Sequence, residues 1–343
     1  MKKKLIGIFV CIIMIGAVSF PVSGIIRENS NFNPLSYNEI LYVGGTGEGN
    51  YTKIQDAIDN TSDGDTVYVF DESSPYFENV IINKAITLIG ENRETTIING
   101  SQNGNVVFVT FDGVTISGFT IENGKSYINA GIDICANYTT ISNNIIMNNF
   151  IGVAIWDNNH DPNYNIILSY NEISDNLIIS NYLEGIWLSN CKNSIVKNNI
   201  LIDNGISSIH MSTATNNIIS GNEISNSDYG ISLYDDSNNN EISRNNFVSS
   251  ERYCILILDS GKNNISQNNF LESGKQNVKL LYFIWTLWKL KRNKWNGNYW
   301  GISKEQPHII IRRISLRLPG RVGVHIIPSI NFDWNPAKEP YNI

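Results

Sequence analysis

"ISGNEISNSDYGISLY", residues 219–234, decides the fold. Its first six residues start at Ile219 and end at Ile224, with Asn222 at the fourth place. Its last five, "GISLY", set Ile231 and Leu233 two apart, so both side chains fall on one face of an extended strand. Both pieces recur along the chain. The first returns as "ISGFTI" at 116, "ISNNII" at 141, "LSYNEI" at 168, "IVKNNI" at 195, "ISRNNF" at 242 and "ISQNNF" at 265. The second returns as "GIDIC" at 131, "GVAIW" at 152, "GIWLS" at 185, "SIHMS" at 208 and "CILIL" at 254. The steps between first pieces are 25, 27, 27, 24, 23 and 23 residues.

Short strands, fixed bends and this period describe a coil of parallel strands, each turn pairing with the next at about 4.8 Å. Aliphatic side chains stack in rows inside. The fourth residue of the first piece, Asn144, Asn171, Asn198, Asn222, Asn245 and Asn268 in successive copies, forms an amide row at one bend. Asn suits a bend because it tolerates left-handed backbone and hydrogen-bonds locally. A leucine-rich solenoid would need a regular Leu framework, which is absent. The expected class is all-β, a right-handed parallel β-helix of eight or nine turns over residues 67–275.

Composition agrees. Asn accounts for about fifty of 343 residues, far above ordinary usage. The net charge of −7 divides into −19 over residues 5–274 and +9 over 275–343, with Lys2, Lys3 and Lys4 adding the rest. An acidic body disfavours nucleic acid as a partner. The basic segment 276–343 reads as a C-terminal cap whose charge complements the body. At the other end, Lys2–Lys4 precede an apolar run, 5–18, followed by small residues. That is the pattern of an export signal over residues 1–24. A retained anchor is the alternative and would be the chain's contact with a membrane. Cys135, Cys191 and Cys254 remain beyond it, an odd number that makes no disulfide framework. Five N-x-S/T sequons permit surface glycosylation.

Residues 25–66 hold "ILYVGGTGEGNYTKIQDAIDN", a strand, a Gly-rich loop and a helix. The order invites a phosphate loop, but no Lys-Ser/Thr follows the last Gly. Thr52 and Gln55 instead have the spacing of a capping box.

The repeats resemble right-handed parallel β-helix proteins of the pectin-lyase-like type, and within them the NosD-type family of secreted and cell-surface proteins. "YTKIQDAIDNTSDGDTVYV" is similar to that group's opening segment, in which a short helix plugs the open end of the coil. "NKWNGNYWG", 293–301, resembles its closing segment. The resemblance implies export, a secreted or cell-surface location, and for NosD-type proteins an association with copper delivery.

The third and fifth positions of the "GISLY" strand alternate away from the aliphatic ones and face outward. With the residue that follows, they supply Asp133, Trp156, Asp157, Trp187, His210 and Tyr234. Aromatic faces stack on pyranose rings and carboxylates bind hydroxyls, so this face is expected to bind a polysaccharide or cell-envelope glycan, with a structural part in the envelope as the other non-catalytic reading. Asp235, Asp236 and Asp259 stand in adjacent turns and form the candidate for a weak Ca²⁺ site, the cofactor expected if any. Asp235 and Asp259 would also be the acids of a polysaccharide-active enzyme, the alternative function. No Gly-His or Arg-x-Lys accompanies them as a polygalacturonase-like site requires, so a non-catalytic role is favoured. For copper, His210 and Met211 are adjacent but alternate to opposite faces. Finally, Leu256 and Leu258 would face water at the end of the outward row, and the tail is expected to fold back over them.

Overall fold

The computed structural model describes residues 38–124, 129–156, 166–271, 276–283, 292–301, 308–316 and 324–343. The export segment 1–24 therefore lies outside the described residues, as does Asp157.

The chain from residue 38 onward is a parallel β-helix. Among the described residues, one face is a sheet of eleven strands, of which neighbours are parallel. Its middle residues stack as Leu41, Val67, Leu88, Ile116, Ile141, Ile173, Val196, Ile219, Ile242, Ile265 and Trp295, all buried. Two further faces join into one eighteen-stranded sheet because the strands Glu223–Tyr234 and Asn246–Leu258 run unbroken round a corner. Burying each Ile of such a row is worth about 1.5–3 kcal/mol, and the rows make a single core along the coil.

Each turn thus has three faces where the repeat suggests two. The six-residue piece is itself a corner: Ile218–Ser220 ends one strand and Glu223 begins the next. The coil makes about ten turns, more than the eight or nine expected. It begins before the helix, since Ile40–Val43 pairs with Thr66–Val69, and it continues past residue 275 through Gln276–Phe283 and Lys294–Asn296.

The Asn row is real, but its register differs from the sequence reading. The buried ladder at this corner is Asn144, Asn176, Asn199, Asn222, Asn245, Asn268 and Asn298. Each side-chain N–H₂ donates to the next amide oxygen at 2.9–3.2 Å, and that oxygen also accepts the main-chain N–H of its donor. Asn198 is instead exposed and left-handed, at φ 55°. Left-handed residues at this corner precede the ladder: Asn143, Asp175, Asn198, Gly221, Arg244 and Gln267. Asn171 belongs to a second ladder at another corner, with Ser194, Asn217, Asn240, Asn263 and Asn293. Asn149, Asn181 and Asn204 make a third. Phe119 occupies the first ladder's place one turn earlier. There Gly118, at φ 84°, lets the corner pass so close that a side chain on it would meet the carbonyl of Gly90.

The helix Ile54–Asp59 closes the first turn with Ile54, Ala57 and Ile58 in the core, as a plug must to keep apolar rows from water. Its cap is not the expected Thr52–Gln55 box. Lys53 holds the capping position without a side-chain bond. Glu78, from the adjoining turn, accepts the N–H groups of Ile54 and Gln55 at 2.9 and 3.0 Å. A long-range carboxylate thus replaces the local motif, and Glu78→Ala is expected to cost about 1–2 kcal/mol in a urea melt.

At the other end, the tail first extends the coil, and its last strand and the residues after it then turn back onto the final turns. Gln276–Phe283 runs parallel to Asn246–Leu258, so Leu256 meets Lys279 and Leu258 meets Leu281 in the next turn. Leu256 is buried and Leu258 half-buried. His308–Leu316 then pairs with Gln276–Phe283, and Val324–Asp333 with His308–Leu316 in antiparallel fashion. Asp333 ends the Asn ladder: its buried carboxylate accepts from Gly297 N, Asn298 N, Asn298 Nδ2 and Trp300 Nε1 at 2.9–3.2 Å.

Candidate functional site

The strands Ala130–Ile134, Ile151–Ile155, Glu184–Ser189 and Ser207–Ser212, and the end of Glu223–Tyr234, lie side by side in register. Val153, Ile186, Ile209 and Ile231 point into the core. Asp133, Ala154, Trp187, His210 and Ser232 follow one another at the intervening position, on the outer side. Two places further along each strand stand Trp156 and Tyr234. Stacking turns at strand spacing brings the rings together as a column. Trp156 and Trp187 are 5.0 Å apart between ring centres, Trp187 and His210 5.5 Å, and His210 and Tyr234 5.1 Å. The planes cross at 53°, 84° and 49°, so the rings do not cover one another's faces. Trp156, Trp187, His210 and Tyr234 are all partly exposed.

The structure thus brings together five of the six residues expected on this face, but two in altered roles. Asp133 is fully buried. Its carboxylate accepts Trp156 Nε1 at 2.8 Å and Asn105 Nδ2 at 2.6 Å. It therefore anchors the first ring instead of standing free for a ligand. Burial pushes its pKa up to about 7 against the opposing hydrogen bonds from Trp156, Asn105 and Cys135. His210 is held through Nδ1, 2.8 Å from Ser232 Oγ, and burial pulls its pKa down to about 4, so the ring is neutral at ordinary pH.

Glu184 was not legible as a site residue, yet it lies among these groups. It is 6% exposed, and burial drives its pKa up to about 8 although Ser207 hydrogen-bonds to it. Ser207 Oγ is 2.9 Å from Ser232 Oγ, so a chain of side chains runs from Glu184 through Ser207 and Ser232 to His210. The available signal was a carboxylate at the head of "EGIWLS", where the preceding turns carry Ala130 and Ile151.

These shifts set a pH dependence of stability. A buried acid with a raised pKa holds its proton more tightly when folded. Asp133 and Glu184 therefore support the fold below about pH 4, and that support is lost as pH climbs through about 7 and 8. His210 acts in the opposite sense between its unfolded value near 6.5 and about 4. Above pH 6.5 the loss is unopposed by His210. The urea midpoint is expected to fall between pH 6.5 and 9, by the equivalent of roughly 1–3 kcal/mol. In the Asp133→Asn, Glu184→Gln double variant the same curve should be flat.

The acids Asp235, Asp236 and Asp259 do not converge as expected for Ca²⁺. Asp235 and Asp236 are consecutive left-handed residues, at φ 50° and 61°. Their side chains go to different partners, Asp235 to Ser212 Oγ at 3.5 Å and Asp236 to Asn238 Nδ2 at 3.3 Å. Asp259 lies in the next turn, its carbonyl accepting Asp236 N–H. Among the described residues no group of three or more His, Cys, Asp or Glu side chains is disposed to hold a metal ion.

A family described as periplasmic copper-binding protein (NosD) matches residues 58–304, well over half the chain. The chain belongs to the NosD family. A cell surface glycoprotein of Methanothermus fervidus is 36% identical over 104 residues, which cover 29% of this NosD-family chain and 16% of that protein. The chain therefore spans a small part of that relative's length. Among solved structures, a complex of XylC with xylose superposes at a TM-score of 0.56 and 12% identity, covering 81% of this chain and 71% of that one. At that identity the likeness concerns the fold.

Among the described residues, the soft donors do not come together as the copper of the family's description would require. Cu(I) prefers thiolate, thioether and imidazole ligands brought together. Cys191 and Cys254 are buried in the coil's core, their thiols pushed up to about 12 by burial. Met211 points into the core while the neighbouring His210 faces outward and is tied to Ser232.

Proposed function

We propose that this NosD-family chain is an exported β-helix protein that binds a polysaccharide or cell-envelope glycan along its outer aromatic column. The observation that carries the reading is the column itself. Trp156, Trp187, His210 and Tyr234 come from four consecutive turns, touch in sequence and are partly exposed. Rings spaced by turns of a rigid coil offer a line of stacking surfaces along the axis, which suits an extended chain of sugars. The parallel stacks elsewhere are different in kind. In Tyr138 and Tyr170 the planes lie within 5° and cover each other's faces. The cell surface glycoprotein relative supports export.

The test is a polysaccharide array probed with wild-type protein and Trp187→Ala, both checked for folding by circular dichroism. Wild type is expected to bind at least one class of glycan, and Trp187→Ala to lose at least tenfold in affinity, as the loss of one stacked ring implies. Wild-type binding that Trp187→Ala leaves unchanged would place the site elsewhere. No binding at all would refute the reading.

A further inference from the structure

Six buried side-chain polar atoms lack a hydrogen-bond partner among the described residues: Thr139 Oγ1, Glu184 Oε2, Trp187 Nε1, Asn246 Oδ1, Ser250 Oγ and Trp295 Nε1. Two of the six sit on one strand, three residues apart, at the centre of the aromatic column. One of them is an oxygen of a carboxyl group that is 6% exposed. Three ladders satisfy the buried amides of this coil turn after turn, which makes an orphan carboxyl oxygen and an orphan indole N–H on one strand costly and unusual. Such groups mark places where a partner is supplied from outside the chain.

The charge around them restricts the partner. The stretches 130–136, 151–156, 184–190, 207–213 and 227–235 contain no Lys or Arg, while Asp133, Glu184 and Asp235 lie within them; Asp228, also there, is paired with Arg252 of the next turn at 3.2 Å. Asp133 and Glu184 are buried, and Asp133 holds the indole of Trp156. A ligand carboxylate entering here would find no Lys or Arg in these stretches to replace the water it gives up, and burying an unpaired carboxylate is costly; the acids beside it are themselves held protonated by burial, up to about pH 7 for Asp133 and 8 for Glu184. A hydroxyl has no such penalty, and it can donate to a carboxyl oxygen and accept from an indole N–H at once.

We propose that Glu184 and Trp187 are the acceptor and donor with which the column recognises hydroxyls of an uncharged glycan, excluding polyuronates. This deepens the binding reading and rests on it. Trp187→Phe keeps a stacking ring and removes the Nε1 donor. Glu184→Ala removes the acceptor, and Glu184→Gln keeps an amide oxygen there without the carboxylic acid.

The experiment is calorimetric titration of the full chain and the three variants with neutral oligosaccharides (xylo-, manno- and gluco-configured) and with oligogalacturonate and oligomannuronate. Wild type is expected to bind a neutral oligosaccharide at least tenfold more tightly than either uronate. Trp187→Phe should weaken that binding about five- to tenfold, the equivalent of one neutral hydrogen bond. Glu184→Ala should weaken it at least as much, and Glu184→Gln less than Glu184→Ala. If Glu184→Ala fails to fold, the Trp187→Phe titration decides alone. Tighter binding of a uronate would overturn this inference and leave the binding reading standing. Neutral-glycan binding that is the same in wild type and Trp187→Phe would also overturn it. Absence of binding to either class would refute both.

Discussion

Asp333→Ala is expected to produce the largest loss of stability of any single truncation at the coil's end, about 3–5 kcal/mol in a urea melt. The carboxylate is fully buried and takes the N–H groups of Gly297 and Asn298, the side-chain amide of Asn298 and the indole of Trp300. Truncation strands these donors in a site closed to water, and each orphaned group costs about 1–3 kcal/mol before relaxation. The effect also spreads. Asn298 is the acceptor for Asn268, so a rotated Asn298 weakens the turn behind it. Asp333→Asn keeps one acceptor oxygen and should lose less than half as much. Equal melts for wild type and Asp333→Ala would mean that the C-terminal strand does not cap the coil.

Asn222→Ala should cost about 2–4 kcal/mol, whereas Asn198→Ala should cost under about 1 kcal/mol. Asn222 is fully buried, and its oxygen accepts both the backbone N–H and the side-chain amide of Asn199 at 3.0 Å. Its own amide donates to Val196 O and to Asn245. Asn198 is exposed, and Ala there loses only the tolerance of a left-handed backbone. The two residues stood in one row in the sequence reading, so the contrast tests the register directly. Similar losses for both would favour that earlier row over the ladder.

The reason that row slipped is physical. Ile141 and Ile173 are paired, 32 residues apart, because the turn between them carries an insertion. A search for a period near 25 therefore settles on Leu168, which lies at a different corner. Within "VKNN" two adjacent Asn compete for one place, and only the inward side chain, Asn199, reaches the ladder. The parallel coil itself was legible because period-two aliphatic pairs recur in every turn. The plug was legible from Ile54, Ala57 and Ile58, while its cap was not: Glu78 is 24 residues from Ile54 and meets it only through the fold. The column was legible for the same reason as the core, since side chains opposite the aliphatic pairs must lie outside. What alternation cannot tell is how deeply an outer residue is covered. Asp133 and Glu184 are buried although they lie on the outer side, and their roles follow from neighbours in adjacent turns.

The most direct measurement is hydroxyl-radical footprinting of the full chain, with and without a saturating polysaccharide chosen from the array, read residue by residue by mass spectrometry. Protection of Trp156, Trp187 and Tyr234, with Tyr138 and Tyr170 unchanged, is the expected result. Protection of Tyr138 and Tyr170 with the column unchanged would contradict the assignment of the binding face.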